Sequence, residues 1–209
     1  MASFNGLAFY NIASLVSDEE KAVQQTIRNY VTTAILPVIA DHFENHTFPK
    51  NLFKDLGALG ALGANLKGYG CAGLGEVAYG LIMQELERGD SGIRSAVSVQ
   101  GALCMFPIWA YAEEEIKKQY LPAMAAGEVI GCFGLTEPDF GSNPGGMQTR
   151  AVKKGDAYVI TGNKMWITNG GLADIAIVWA KVSDEGDKIG GFIVPTKTAG
   201  MTVRNIEKK

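Results

Sequence analysis

The hydrophobic positions of the first 128 residues repeat with the 3.6-residue period of amphipathic helices. Ser17 and Glu20 have the spacing of a capping box, which predicts that a helix begins there. Apolar residues then recur at helical spacing from Val23 to Val38, and we expect Pro37 to kink or interrupt this helix near its end. The same period predicts four further helices, at 49–56, 74–88, 93–104 and 113–120, the last followed by a helical turn that Pro122 opens.

From about residue 130 the pattern changes to short apolar runs separated by Gly, Asn and Asp turns. This pattern is typical of antiparallel β-strands. The runs predict strands at 130–135, 149–152, 157–161, 165–168, 175–181, 191–194 and 201–206. A block of helices followed by a block of strands predicts an α+β chain. We expect an all-helical N-terminal domain over 1–129 and an antiparallel, β-barrel-like domain over 130–209.

Composition narrows the function classes. The chain has 209 residues, of which 47% are hydrophobic, enough for a packed core and too many for a disordered protein. Its net charge of −3 argues against a nucleic-acid partner, because phosphate binding needs a basic excess. No apolar run approaches the roughly 18 residues of a membrane helix. Residues 1–10 lack the basic and apolar regions of a secretory leader, so we expect no secretory signal there.

Two short motifs do not support the sites that they suggest. Residues 68–73 read G-Y-G-C-A-G and match the dinucleotide fingerprint, but that fingerprint needs a preceding strand. Since residues 56–67 are rich in Gly and Ala, we interpret 68–73 as a loop between two helices. His42 and His46 lie four residues apart, but the sequence between them is not that of a zinc protease and no third ligand is evident. We therefore predict no metal site.

The most informative stretch is 131–143, where a predicted strand runs into a loop rich in Gly, Ser and Thr. Backbone N–H groups and short hydroxyls in such a loop can hold a phosphate or the polar edge of a heterocycle. Trp166 and Thr168 follow about 25 residues later, and on a strand they would share one face. An aromatic plane beside a hydroxyl suits a flat cofactor, although a Trp on a strand usually belongs to the core.

Segments 133–142 and 166–168 resemble the flavin-binding segments of the acyl-CoA dehydrogenases, and the resemblance extends from Ser17 to the end of the sequence. Within that family, segment 85–98 is most similar to the glutaryl-CoA dehydrogenases. The resemblance implies an FAD-dependent oxidoreductase that takes a proton from Cα and a hydride from Cβ of an acyl-CoA thioester. For glutaryl-CoA, decarboxylation to crotonyl-CoA usually follows.

The resemblance also implies roles for single residues. Thr136 would bond the pyrimidine edge of the flavin, and Ser142 would reach the pyrophosphate. Trp166 would lie against one face of the ring system, and Thr168 would bond near N5. The implied flavin-binding set is Phe133, Leu135, Thr136, Gly141, Ser142, Trp166, Ile167 and Thr168.

A glutaryl chain adds a second carboxylate, and burying that charge requires a paired cation. Arg94 is the natural partner. Ser98 lies four residues later on the same helical face, and Ser95 is adjacent. The resemblance adds Glu87 to this pocket, so the implied substrate-binding set is Glu87, Arg94, Ser95, Ser98 and Ser142. Without the resemblance, Arg94 would be interpreted as a surface charge.

Members of the family are longer, and their catalytic glutamate lies in a C-terminal helical domain beyond the part that this sequence matches. We therefore assign no residue of this sequence as the catalytic base. The resemblance implies electron-transferring flavoprotein or a similar acceptor as partner, and a homotetramer for an intact member. The absence of an Arg- and Ser-rich start favours a bacterial cytoplasm, or a mitochondrial matrix for a processed eukaryotic protein. Two alternatives stay open: another short or branched acyl-CoA as substrate, and a catalytically inactive fragment.

Overall fold

The computed structural model describes residues 12–206, so residues 1–10, where we expect no leader, lie outside the described part. In that part seven α-helices precede five β-strands. The helices are α1 Asp18–Tyr30, α2 Ile39–Glu44, α3 Leu52–Ala58, α4 Glu76–Gly89, α5 Ser91–Ser98, α6 Phe106–Tyr111 and α7 Glu114–Ala125. The strands are β1 Gly131–Gly134, β2 Arg150–Lys154, β3 Ala157–Thr161, β4 Ile175–Val182 and β5 Lys188–Pro195. The predicted order of helices and then strands is confirmed.

Helix α1 begins as its sequence predicts. The Ser17 backbone N–H donates to Glu20 Oε2 at 2.8 Å, and the Glu20 N–H donates to Ser17 Oγ at 3.2 Å, which completes the capping box. After α1 the chain forms a π-helical segment at Val31–Ile35 and then leaves the helix until Ile39. Pro37 lies in this gap, as predicted, because proline has no N–H to donate to a preceding carbonyl.

Helices α1 and α4 are joined by a buried carboxylate. The Glu85 side chain is 2% exposed and accepts from Arg28 Nη2 at 2.6 Å and from Arg88 Nε at 3.0 Å. Burial alone would raise the pKa of this carboxyl, but the hydrogen bonds from both guanidinium groups prevail and lower it. This charge cluster therefore stabilises the helix pair that precedes α5.

The predicted helix at 93–104 belongs to a longer helical stretch. It begins with α5, continues as a π-helical segment at Val99–Met105 and ends with α6. Only Asp90 separates α4 from α5, and its Oδ1 accepts the N–H of Ile93 at 2.9 Å. An aspartate in this position satisfies a free N–H at the start of a helix. The gap that the sequence predicts between the helices at 74–88 and 93–104 is therefore only one residue long.

The sheet is mixed, so the prediction of an antiparallel sheet is wrong. The long strand β4 runs parallel to β1 and β2 and antiparallel to β5, while β2 and β3 form an antiparallel pair. Parallel neighbours require a long crossover connection, and about 40 residues separate β1 from β4. Alternation within each strand does not reveal this pairing.

Two of the predicted strands are absent from the described residues. Residues 165–168 form a bend and a turn, because Trp166 and Asn169 have φ angles of 62° and 66°, outside the extended region. Residues 201–206 lie in irregular structure. Neither segment has a ladder partner in the described chain, and a strand needs one to satisfy its backbone groups.

One hydrophobic core spans the helices and the sheet. It includes Ile93, Met105 and Met124 from the helical part and Ile130 and Ile175 from the sheet part. At the junction, a Cβ on Gly131 would come within 2.7 Å of Cys104 Cβ, so only glycine lets β1 pack this closely on the helices. None of the described helices has the length and apolar character needed to cross a bilayer.

Candidate functional site

The structure brings together the two segments that the sequence singled out, 133–142 and 166–168. The Met165 N–H donates to the Thr136 carbonyl at 2.9 Å. Lys164 Nζ donates to the Leu135 carbonyl, also at 2.9 Å. The loop that follows β1 and the bend that precedes β4 are therefore held side by side, although they lie about 30 residues apart in the sequence.

Glu137 anchors this pair of segments. Its carboxylate, 5% exposed, accepts the backbone N–H groups of Gln148 at 2.6 Å and Thr149 at 2.9 Å. The Thr149 hydroxyl and Lys164 Nζ also donate to it, the latter at 2.9 Å. Burial opposes ionisation, but these hydrogen bonds prevail and lower the pKa of Glu137 to about 2. Glu137 is therefore a structural anion.

The side chains beside this anchor leave polar groups unused. The hydroxyls of Thr136, Ser142 and Thr168 have no hydrogen-bond partner within residues 12–206. Ser142 is exposed and the two threonines are half-buried. The Trp166 side chain is 59% exposed, which is unusual for a large aromatic residue. Free hydroxyls and an exposed aromatic ring on two adjacent segments are the groups that a flat cofactor with polar edges requires, so these residues fit FAD.

The remaining residues of the predicted flavin set lie on the same two segments. Phe133, on β1, makes an edge contact with Trp179 at 5.9 Å between ring centroids. Leu135 and Ile167 are half-buried and Gly141 is exposed. The prediction that Trp166 and Thr168 share the face of a strand is wrong, because the positive φ of Trp166 places both residues in a bend.

The predicted substrate residues form a second group around α5. Arg94 Nε donates to Glu87 Oε2 at 2.6 Å, and Ser91 Oγ donates to Glu87 Oε1 at 2.6 Å. The bonds from Arg94 and then Ser91 lower the pKa of Glu87. Glu87 and Arg94 meet despite the glycines between them, because α5 restarts after a single residue.

The three serines of the predicted substrate set do not all lie on one element. Ser98 Oγ donates to the Ser95 carbonyl at 3.1 Å, and both serines are half-buried on α5. Among the described residues no hydrogen bond joins Ser142 to Arg94 or Glu87. Ser142 lies on segment 133–142 with the flavin set, whereas Glu87 lies on α4 and Arg94, Ser95 and Ser98 lie on α5.

Sequence reasoning did not assign Lys164 or Asn169 to the site. Lys164 is the cation paired with Glu137, and Asn169 is a buried turn residue that contacts both α5 and β1. A lysine in an otherwise uncharged run, 162–173, was the available signal for the first. Asn169-Gly170 is a turn signature, which predicts the turn but not the contacts of the side chain.

The two short motifs have structural explanations. Residues 68–73 form the loop between α3 and α4 that the sequence predicts, with positive φ angles at Gly68, Tyr69, Gly70 and Gly73. His42 Nδ1 lies 2.7 Å from Thr47 Oγ1 at the end of α2. The described chain contains no group of three side chains that could hold a metal ion.

Comparison with known proteins matches both halves of the chain. Residues 17–128 match the acyl-CoA dehydrogenase N-terminal domain, and residues 132–209 match the acyl-CoA dehydrogenase middle domain. The structure superposes with a TM-score of 0.95 on a glutaryl-CoA dehydrogenase from Mycobacterium smegmatis in complex with FADH2, at 51% identity. That match covers 99% of this chain and 53% of the other.

Other relatives differ in their acyl substrates. The short-chain specific acyl-CoA dehydrogenase of Clostridium acetobutylicum is 36% identical, over 91% of this chain and 51% of its own length. A glutaryl-coenzyme A dehydrogenase bound to glutaryl-CoA is 30% identical with a TM-score of 0.87, over 92% of this chain and 51% of the other. The chain spans between a third and about half of the length of the curated relatives that it matches. The matches to both domains establish that the chain belongs to the acyl-CoA dehydrogenase family.

Proposed function

We propose that this chain supplies the flavin-binding segments and the acyl-recognition helix of an FAD-dependent glutaryl-CoA dehydrogenase, with domains at 1–129 and 130–209. The observation that carries the proposal is Arg94, a partly exposed cation that Glu87 holds on α5. Glutaryl-CoA differs from simple acyl-CoA substrates by its distal carboxylate, and a carboxylate in a closed pocket needs such a cation.

The Arg94 guanidinium retains the donors that a substrate carboxylate would use. Only Nε donates to Glu87, and within the described residues the two terminal amino groups have no partner. Arginine presents five N–H donors in a planar fork and can bind a carboxylate through two parallel bonds. Glu87 therefore orients Arg94 while leaving the fork open for the acyl chain.

The flavin-binding role rests on the groups around Glu137. Thr136, Ser142 and Thr168 offer hydroxyls that have no partner in the described part of the chain, and Trp166 offers an exposed ring that would cover one face of the cofactor. FAD, when bound, would accept the hydride that leaves Cβ of the acyl chain. The protein's task is to orient the cofactor, to shield it from water and to set its electronics through hydrogen bonds.

We assign no residue of this chain as the base that takes the Cα proton. Glu137 is excluded by its four hydrogen bonds and by a pKa of about 2, since a carboxylate of such low basicity is a poor proton acceptor. The whole protein would place its base in a region that relatives have and this chain does not span. We further propose electron-transferring flavoprotein or a similar electron acceptor, a homotetramer, and a bacterial cytoplasmic or mitochondrial matrix location.

A second candidate is a dehydrogenase of an uncharged short or branched acyl-CoA. The Glu87–Arg94 pair favours it, because the glutamate already neutralises the arginine. In that case the pair would be structural and the acyl pocket would carry no net charge. The order of preference between a dicarboxylic and a monocarboxylic substrate separates the two candidates.

The test uses a chimaera in which this chain is joined to the C-terminal part of the Mycobacterium smegmatis glutaryl-CoA dehydrogenase that it does not cover. We expect the reconstituted chimaera to show flavin absorbance and to be reduced faster by glutaryl-CoA than by butyryl-CoA. Faster reduction by butyryl-CoA would favour the second candidate. A folded chimaera without flavin absorbance would contradict both.

A further inference from the structure

Asn169 makes contacts that neither a turn nor a simple core residue requires. Its side chain is buried at 8% exposure, and its backbone has a φ of 66°. The side-chain Nδ2 donates to the Ala96 carbonyl of α5 at 3.1 Å and to the Gly131 carbonyl of β1 at 3.2 Å. One amide therefore bridges a helix and a strand that are distant in the sequence.

Gly131 is bound on both sides. Its carbonyl accepts from Asn169, and its N–H donates to Gln100 Oε1 at 2.7 Å. Gln100 is fully buried and lies in the π-helical segment that continues α5. Its Nε2 also donates to the Val129 carbonyl at 2.8 Å, at the entrance to β1. Two buried amides thus fix the start of β1 against the α5 helical stretch.

This network connects the two parts of the proposed site. Helix α5 carries Arg94, Ser95 and Ser98, and β1 leads directly into segment 133–142. Asn169 immediately follows Trp166–Thr168. Among the side chains of this network, Asn169 contacts both α5 and β1 while its own backbone continues the 166–168 segment. Loss of its amide would remove the direct link between the acyl-recognition helix and that flavin segment.

We propose, on the basis of the proposed function, that Asn169 is a positioning residue that holds the 164–168 segment and α5 in a single arrangement for the cofactor and the acyl chain. Asparagine suits this task for two reasons. It adopts the left-handed backbone conformation more readily than most residues, and its amide supplies two N–H donors to two carbonyl oxygens. Aspartate would have a similar shape but would place a carboxylate against both carbonyls.

The experiment compares wild-type chain with Asn169→Gly, which keeps the left-handed backbone accessible and removes the side chain that carries the amide. Asn45→Gly is the control, because it removes an amide bond to a carbonyl, Asn45 Nδ2 to Asp41 O at 2.8 Å, at the exposed end of α2. Hydrogen–deuterium exchange is measured by mass spectrometry on the 209-residue chain. We expect about tenfold faster exchange in 94–100 and 164–170 for Asn169→Gly, with α7 unchanged.

A second readout is FAD affinity, titrated by fluorescence well below the melting temperature of each variant. We expect the dissociation constant to rise about tenfold for Asn169→Gly, the effect of losing two buried hydrogen bonds, and to stay unchanged for Asn45→Gly. Asn169→Asp should bind FAD more weakly still than Asn169→Gly. If Asn169→Asp keeps the wild-type exchange and affinity, the donor role is overturned.

A lower melting temperature with unchanged exchange at 164–170 and unchanged FAD affinity would make Asn169 a stability residue and overturn the proposal. If the wild-type chain binds no FAD, the proposed cofactor role of this chain loses its support. In that case exchange alone decides the inference: faster exchange in both 94–100 and 164–170 supports it, and unchanged exchange in either segment overturns it.

Discussion

Glu137 and Lys164 form a buried ion pair in which Oε1 and Nζ lie 2.9 Å apart. The side chains are 4% and 12% exposed, so neither charge is well solvated. The pair joins the loop after β1 to the residues just before the bend at Trp166, and three further donors complete the shell of Glu137. Proper spacing of the two candidate flavin segments therefore depends on an electrostatic contact.

We expect Lys164→Met to lower the free energy of unfolding by about 3–5 kcal/mol, because it leaves a buried carboxylate without its cation. Urea unfolding followed by circular dichroism measures this change. The control is Lys118→Met, which breaks an exposed pair with Glu115 at 3.3 Å and should cost no more than about 1 kcal/mol. Equal losses in the two variants would contradict a special role for Lys164.

The depressed pKa of Glu137 predicts an acid-sensitive stability term. A carboxyl whose pKa is lower in the folded state stabilises the fold above its unfolded pKa and loses that contribution as the pH falls. For Glu137 the window runs from its usual value of 4.5 down to about 2, and the loss amounts to about 3 kcal/mol.

Glu85, Glu87 and Asp187 also have lowered pKa values, so the wild-type profile contains several terms. The difference in unfolding free energy between wild type and Glu137→Gln isolates the contribution of Glu137. We expect the unfolding free energy of Glu137→Gln to fall less steeply than that of wild type below pH 4.5. If the unfolding free energies of the two proteins fall in parallel below pH 4.5, Glu137 is not the source of the acid sensitivity.

Two helical glycines should respond oppositely to alanine. A Cβ at Gly57 would come within 2.6 Å of the Ala126 backbone, so Gly57→Ala must push α3 away from the end of α7 at a cost of about 1–3 kcal/mol. Gly80 has open space around it on α4, and Gly80→Ala should raise the free energy of unfolding by about 0.5–1 kcal/mol. The melting temperatures of both variants test this packing. A higher melting temperature for Gly57→Ala than for wild type would contradict the close contact between α3 and the end of α7.

In the chimaera, Arg94→Gln should lower kcat/KM for glutaryl-CoA about 10- to 100-fold more than for butyryl-CoA. The reason is the loss of a charge-assisted bond of about 1.5–3 kcal/mol to the distal carboxylate. Arg150→Gln, which breaks an exposed arginine pair with Asp187, serves as the control and should leave the ratio unchanged. Equal losses on both substrates would favour the monocarboxylic candidate.

The 209-residue chain itself should show no dehydrogenase turnover with FAD, glutaryl-CoA and an artificial electron acceptor. General base catalysis needs a carboxylate within reach of the Cα proton, and Glu137 is occupied by its four donors. Turnover comparable to that of the chimaera would reveal a base within this chain. Glu87 would then be the first residue to substitute.

The sequence alone determined the features that depend on neighbours along the chain. Ser17 and Glu20 form their capping box because the partners are three residues apart. The apolar runs at 157–161 and 175–181 became β3 and β4 because short runs rich in β-branched and aromatic residues between turn residues favour extended backbone locally. The family resemblance of 133–142 and 166–168 likewise rests on contiguous motifs.

Tertiary structure decided how distant segments pair. Parallel β1–β4 pairing, the Glu137–Lys164 ion pair and the Asn169 bridge all join groups separated by about 30 to 70 residues. Local propensity does not encode such contacts, since a lysine or an asparagine suits many surface positions equally well. Their positions follow from burial: once the core closes around Gly131 and Ile175, an enclosed polar group is stabilised by whichever partner lies among the few within reach.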